Sequence, residues 1–141
     1  MLTEQTKKRI SDYLGLAMGL FISVRVTAIS NEYDLRNSAS RLYYALFHVS
    51  LAFLLSQGEE IDKIRRFHGQ VHTAVGKRMG KPLDRFVRAV YDARLKADYE
   101  PDFFVRKYGS DLEKARAEMS YVLKSANANF YWIYQEARKA L

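Results

Sequence analysis

The sequence has no cysteine, only two prolines and only three histidines among its 141 residues. Without cysteine there can be no disulfide framework, no thiolate zinc site and no cysteine nucleophile. The same absence fits a reducing compartment, so a cytoplasmic location is expected. Long apolar runs are also scarce. The longest, from Leu42 to Leu55, falls short of the roughly 20 residues needed to span a bilayer, and no membrane association is expected. Near the N-terminus, Lys7, Lys8 and Arg9 precede an apolar stretch ending near Val26-Thr27-Ala28, which imitates a cleaved leader. Against that, Ile10, Tyr13, Leu14, Ala17, Leu20 or Phe21, Val24 and Ala28 recur at helical spacing and the pattern runs on through Arg25, as in an amphipathic helix. Gly15 and Gly19, a small pair four residues apart, predict a close approach between two helices.

Other absences narrow the chemistry. There is no glycine-rich phosphate loop, no Gly-x-Ser-x-Gly elbow and no zinc-protease motif. None of His48, His68 and His72 has a glutamate three residues before it, as a di-iron helical bundle requires. His68 and His72 are spaced to share one face of a helix, but no third ligand accompanies them, so no metal and no cofactor are expected.

The residues that are present describe a packed helical protein. With 48% hydrophobic and 13% aromatic residues, the chain has enough apolar surface for a core and predicts a single domain over residues 1–141. Strand alternation, internal repeats and low-complexity linkers are all missing. Helical periodicity predicts a first helix over about 4–30 and a second over 35–57, stopped by Gly58. A third covers about 63–79 and ends at Gly80. A fourth opens at Pro82 and ends before Glu100-Pro101, and a last one is capped by the box Ser110-Asp111-Leu112-Glu113. The predicted fold is all-α: an antiparallel up-and-down bundle of four main helices plus one shorter helix.

Charge is concentrated in the middle of the chain. Residues 61–96 hold ten Lys or Arg against three Asp, a surplus of seven that equals the net charge of the whole protein, +7. A cationic belt of this kind suits phosphate groups, because each neutralised phosphate releases counterions. Arg65, Arg66, His68, Lys77, Arg78 and Arg88 are the candidate RNA- or nucleotide-binding residues. Arg41 and His48 lie seven residues apart, nearly one face of a helix, and read first as framework and second as polar support for a site.

Tyr43, Tyr44, Phe47 and His48, followed by the FHGQVH segment at 67–72 and then by Arg94, Asp98 and Tyr99, resemble the HEPN domain family across most of the chain. These are small all-helical proteins of prokaryotic toxin–antitoxin and defence systems. The resemblance implies a homodimer, RNA or nucleotide as ligand, and a small nucleotidyltransferase-type antitoxin as partner. Active HEPN ribonucleases use an Arg followed four to six residues later by His, without metal, in a cleft built by both subunits. At the matching place this chain reads Arg94-Leu95-Lys96-Ala97-Asp98-Tyr99, so a tyrosine stands where the histidine is expected. A phenol is a weak base at neutral pH. The resemblance therefore implies an HEPN module that binds RNA or nucleotide. The alternative is a metal-independent endoribonuclease toxin with Arg94, Asp98, Tyr99 and His48 as its catalytic group.

Overall fold

Six helices and no strand make up the chain in a computed structural model that describes residues 1–141: α1 (Glu4–Val26), α2 (Glu32–Ser56), α3 (His68–Met79), α4 (Lys81–Tyr99), α5 (Phe103–Tyr108) and α6 (Leu112–Arg138). The all-helical class expected from periodicity is thus observed, and no helix is long and apolar enough to cross a membrane.

Local side-chain chemistry sets most boundaries. Thr3 caps α1 by accepting from the Thr6 backbone N–H at 3.1 Å, and Asn31 caps α2 by accepting from that of Asp34 at 2.9 Å. The Asn31 cap explains why α2 begins ahead of Leu35. Helix α1 ends at Val26 rather than near residue 30, because Thr27 takes extended backbone and turns its hydroxyl onto the Ser23 carbonyl at 2.6 Å. Gly58 and Gly80 adopt φ of 82° and 99° and stop α2 and α3, a conformation that glycine adopts without steric cost. Residues 62–66 form a turn rather than the first turns of α3.

Two expectations are corrected at the C-terminal end. The cap of α6 is Asp111, whose carboxylate accepts from the Lys114 N–H at 3.2 Å, while Ser110 sits at φ 65° outside the helix. Glu113 pairs with Arg116 and does not close a capping box. Helix α5 was not visible in the periodicity, since six residues carry less than two turns of pattern.

Helix α2 is the centre of the structure and packs against α1, α3, α4 and α6. Its second half, from Val49 to Leu55, is buried all round, the pattern of a core helix rather than a surface one. The larger apolar cluster also takes Ile10, Leu14 and Phe21 from α1, and Phe130 and Ile133 from α6, with Phe21 and Phe130 stacked at 4.3 Å. A smaller cluster gathers Leu35, Ala39, Ala97, Phe103, Phe104 and Tyr108. Gly76 is required by close packing: a Cβ there would meet the Asp84 side chain at 2.7 Å. Gly15 and Gly19, by contrast, meet nothing within 4 Å and lie on the open face of α1, so they mediate no helix approach within the chain.

Arg36 ties the end of α4 to the start of α2. Its guanidinium donates to the carbonyls of Ala97, Glu100 and Pro101 at 2.5, 3.0 and 2.8 Å and pairs with Glu32 at 2.7 Å. These carbonyls lie at a helix C-terminus, where unpaired acceptors and the helix dipole favour a cation. Arg36→Ala is expected to cost about 2 kcal/mol in urea denaturation, since hydrogen bonds to a charged donor are lost together. An unchanged midpoint would contradict the clamp.

Candidate functional site

Arg94 is held between α2 and α4. Buried Val90 and Ala97, four residues before and three after, turn this face of α4 inward, leaving the Arg94 side chain only 12% exposed. Its Nη2 donates to the Tyr44 hydroxyl at 2.8 Å, and Cζ stands 5.2, 5.6 and 5.6 Å from the ring centres of Tyr44, Tyr43 and Tyr99. Cation–π contacts of this kind contribute about 0.5–2 kcal/mol each. Nε lies 2.9 Å from the Asp98 carboxylate one turn along, but its N–H is not aimed at that oxygen. The pair is a charge contact rather than an aligned hydrogen bond. Nη1 makes no hydrogen bond within the protein and is not fully buried.

Beside it, the buried Tyr43 hydroxyl meets two imidazoles at once, His68 Nδ1 at 2.5 Å and His72 Nε2 at 3.1 Å. The i,i+4 spacing of HGQVH does put both rings on one face of α3, but they converge on a phenol. No group of three or more metal-ligating His, Cys, Asp or Glu side chains exists. Phe47 stacks on His68 at 4.5 Å, and Tyr91 stands 5.8 and 5.2 Å from the two rings.

Burial sets the protonation of the cluster. His72 is 1% exposed, and desolvation, followed by the nearby His68 and Arg88, lowers its pKa to about 4 against an opposing pull from Asp84. Desolvation and then Arg94 hold His68 below the usual imidazole range. Burial raises the Tyr43 phenol far above the tyrosine range, with Tyr91 adding to the effect and Arg94 opposing it.

The other anticipated site residues are distributed unevenly. Tyr99, 69% exposed, offers an open ring over Arg94. His48 stacks on Tyr13 and Tyr44 at 5.9 and 6.2 Å, with Nδ1 buried and unpartnered, and burial lowers its pKa. It meets the cluster through Tyr44 and Phe47, and no contact with Arg94 joins them. Arg41 turns away to the Ser23 hydroxyl on α1 at 3.1 Å.

The cationic belt is thinner in space than along the chain. Arg65 pairs with Asp62, Arg78 with Glu59, and Arg88 with Asp84 while also donating to Thr73. Lys63, Arg94 and Lys96 pair with Glu60, Asp98 and Asp92. Glu59, Glu60 and Asp98 lie just outside the window 61–96, so a count along the chain missed their neutralising effect. Arg66, Lys77, Lys81 and Arg85 remain exposed without an ion pair.

Residues 66–99 thus expose unpaired guanidinium and ammonium groups, and also the rings of Phe67 and Tyr99. Such a surface can hold phosphate oxygens and stack a base. His68 and Arg94 are each legible in the sequence, whereas the Tyr43 hydroxyl that links His68 to His72 is not. No protein-family model, curated protein or solved structure matches the chain, and the reading of this face rests on its own geometry.

Proposed function

We propose that this protein is an HEPN-type module of a prokaryotic toxin–antitoxin or defence system that binds RNA or a nucleotide across α3 and α4. In this reading its main helices form an antiparallel up-and-down bundle, it works in the cytoplasm as a homodimer, and a small nucleotidyltransferase-type protein is its partner. The observation that carries the binding reading is Arg94. A mostly buried guanidinium is oriented by Tyr44 and Asp98, yet its Nη1 makes no hydrogen bond within the protein and is not fully buried, beside an exposed tyrosine ring. That is the arrangement expected of an anion contact, because orientation in advance lowers the entropy lost on binding. Exposed Leu16, Ile22 and Val26 on α1 support a second copy or a partner protein. Binding is favoured over cleavage because Tyr99, in the place of the motif histidine, is a weak acid–base group, and His48 touches Tyr44 rather than the guanidinium.

The four unpaired cations provide the test. Replacing Lys81 and Arg85 together with Ala should weaken RNA binding and flatten the slope of log affinity against log salt by about one to two units. Replacing the ion-paired Arg78 should change it less. An unchanged slope for the Lys81/Arg85 variant would mean that these cations only solvate the surface.

A further inference from the structure

We propose that His68 and Arg94 form one phosphate-binding pair in which His68 serves as a neutral N–H donor, its tautomer fixed by the buried Tyr43–His72 chain. The proposal rests on the reading of this face as an RNA- or nucleotide-binding surface, and it assigns the ligand group, a phosphate, and the residues that receive it.

The assignment comes from counting hydrogens. The Tyr43 hydroxyl has a single hydrogen but faces two imidazole nitrogens, His68 Nδ1 and His72 Nε2. Both imidazoles cannot accept it, and if both donated, the hydrogen of the buried Tyr43 hydroxyl would be left without an acceptor, so one imidazole accepts and the other donates. If His72 accepted at Nε2, its own hydrogen would sit on Nδ1, which is buried and has no partner. A buried orphan N–H is costlier and rarer than an unpaired acceptor lone pair. His72 therefore donates from Nε2, Tyr43 donates to His68 Nδ1, and the one hydrogen of neutral His68 is left on Nε2. That atom has no protein partner and is not buried.

The outward N–H of His68 and the free Nη1 of Arg94 share the same neighbours. His68 stands 5.6 and 6.5 Å from the ring centres of Tyr43 and Tyr44, and Arg94 stands 5.6 and 5.2 Å from them. Both present donors only, which suits phosphate oxygens and excludes cations. Desolvation and the positive charge of Arg94 keep His68 neutral near pH 7, so the pair holds one positive charge and not two. Tyr43 and His72 are positioning residues here, since neither reaches the ligand.

The test uses the full chain, a fluorescein-labelled 2′-O-methyl RNA decamer that cannot be cleaved, and nitrogen-15 NMR of the histidine rings. In wild-type protein at pH 7, His68 is expected in the Nε2–H tautomer and Tyr43→Phe should mix the two tautomers. His68→Asn, which places its amide at the Nδ1 position, should weaken binding about tenfold, whereas His68→Gln, with a donor near Nε2, should recover most of it. An Nδ1–H tautomer for His68, or equal affinity of wild type, Asn and Gln variants while Arg94→Ala still binds more weakly, would overturn the His68 assignment and leave the RNA-binding face standing. Unchanged affinity in Arg94→Ala would instead remove the binding face itself, and the phosphate pair with it.

Discussion

Stability should fall by about 3 kcal/mol as pH drops from 6.5 to 4, and most of that loss should disappear in His72→Gln. His72 has its pKa lowered to about 4 by burial, then by the charges of His68 and Arg88, with Asp84 pulling the other way. The unfolded chain binds a proton to this residue near pH 6.5, whereas the folded one does so near 4, so the unfolded state carries more protons throughout that interval. The stabilising contribution is therefore complete above 6.5 and is lost as pH falls through the folded pKa. His68 and His48 are shifted in the same direction and add to the slope. The groups facing His72 are Tyr43 on α2, His68 on its own helix, and Asp84, Arg88 and Tyr91 on α4. Protonation would place a charge where Nδ1 has no partner, beside two other potential cations. Urea denaturation of wild type and His72→Gln at pH 7.5, 6, 5 and 4 checks this directly. Gln is the chosen replacement because its amide can still donate toward the Tyr43 oxygen. Parallel curves for the two proteins across this range would show that His72 does not set the acid response.

Much of the fold was readable from the sequence because its causes are local. Gly58, Gly80 and Pro101 act through their own backbone preferences, and the apolar periodicity of α1, α2 and α6 predicts which faces they bury. Helix α5 was not readable, since Phe103, Phe104 and Tyr108 acquire a reason to be helical only when Leu35 and Ala97 are there to cover them. Arg36 was silent for the same reason. Its three carbonyl partners lie more than sixty positions along the chain.

The candidate site divides in the same way. Arg94 and Asp98, one turn apart, are a local pair and were visible. The belt of cations was visible too, but its neutralisation by Glu59 and Glu60 depends on side chains that a window of sequence leaves out. HGQVH suggested a shared helical face and nothing about what that face meets. Only the packing of α3 against α2 supplies the Tyr43 hydroxyl, turning a weak metal pattern into a hydrogen-bonded chain that ends beside Arg94.

Arg94→Ala should then give the largest loss of binding of any single substitution on the α3–α4 face, about 50-fold, or roughly 2.3 kcal/mol, the amount expected for losing a pre-oriented hydrogen bond between charged groups. The truncation removes the free Nη1 donor while leaving Tyr44 and Asp98 able to turn to water, so helix content by circular dichroism should be retained. Arg94→Lys keeps the charge but not the planar fork, and should fall between the two. Loss of one positive charge elsewhere is the necessary comparison. Lys124 on α6 is exposed and makes no ion pair. Lys124→Ala should change affinity by less than about twofold, since a lone exposed charge on another helix is weakened by salt screening. The measurement is an anisotropy titration of the same non-cleavable RNA decamer with wild type, Arg94→Ala and Lys124→Ala at one near-physiological salt concentration. A loss of about 50-fold confined to Arg94→Ala is the result predicted here; equal affinity of all three proteins, or equal loss in both variants, would contradict an RNA-binding site built on Arg94.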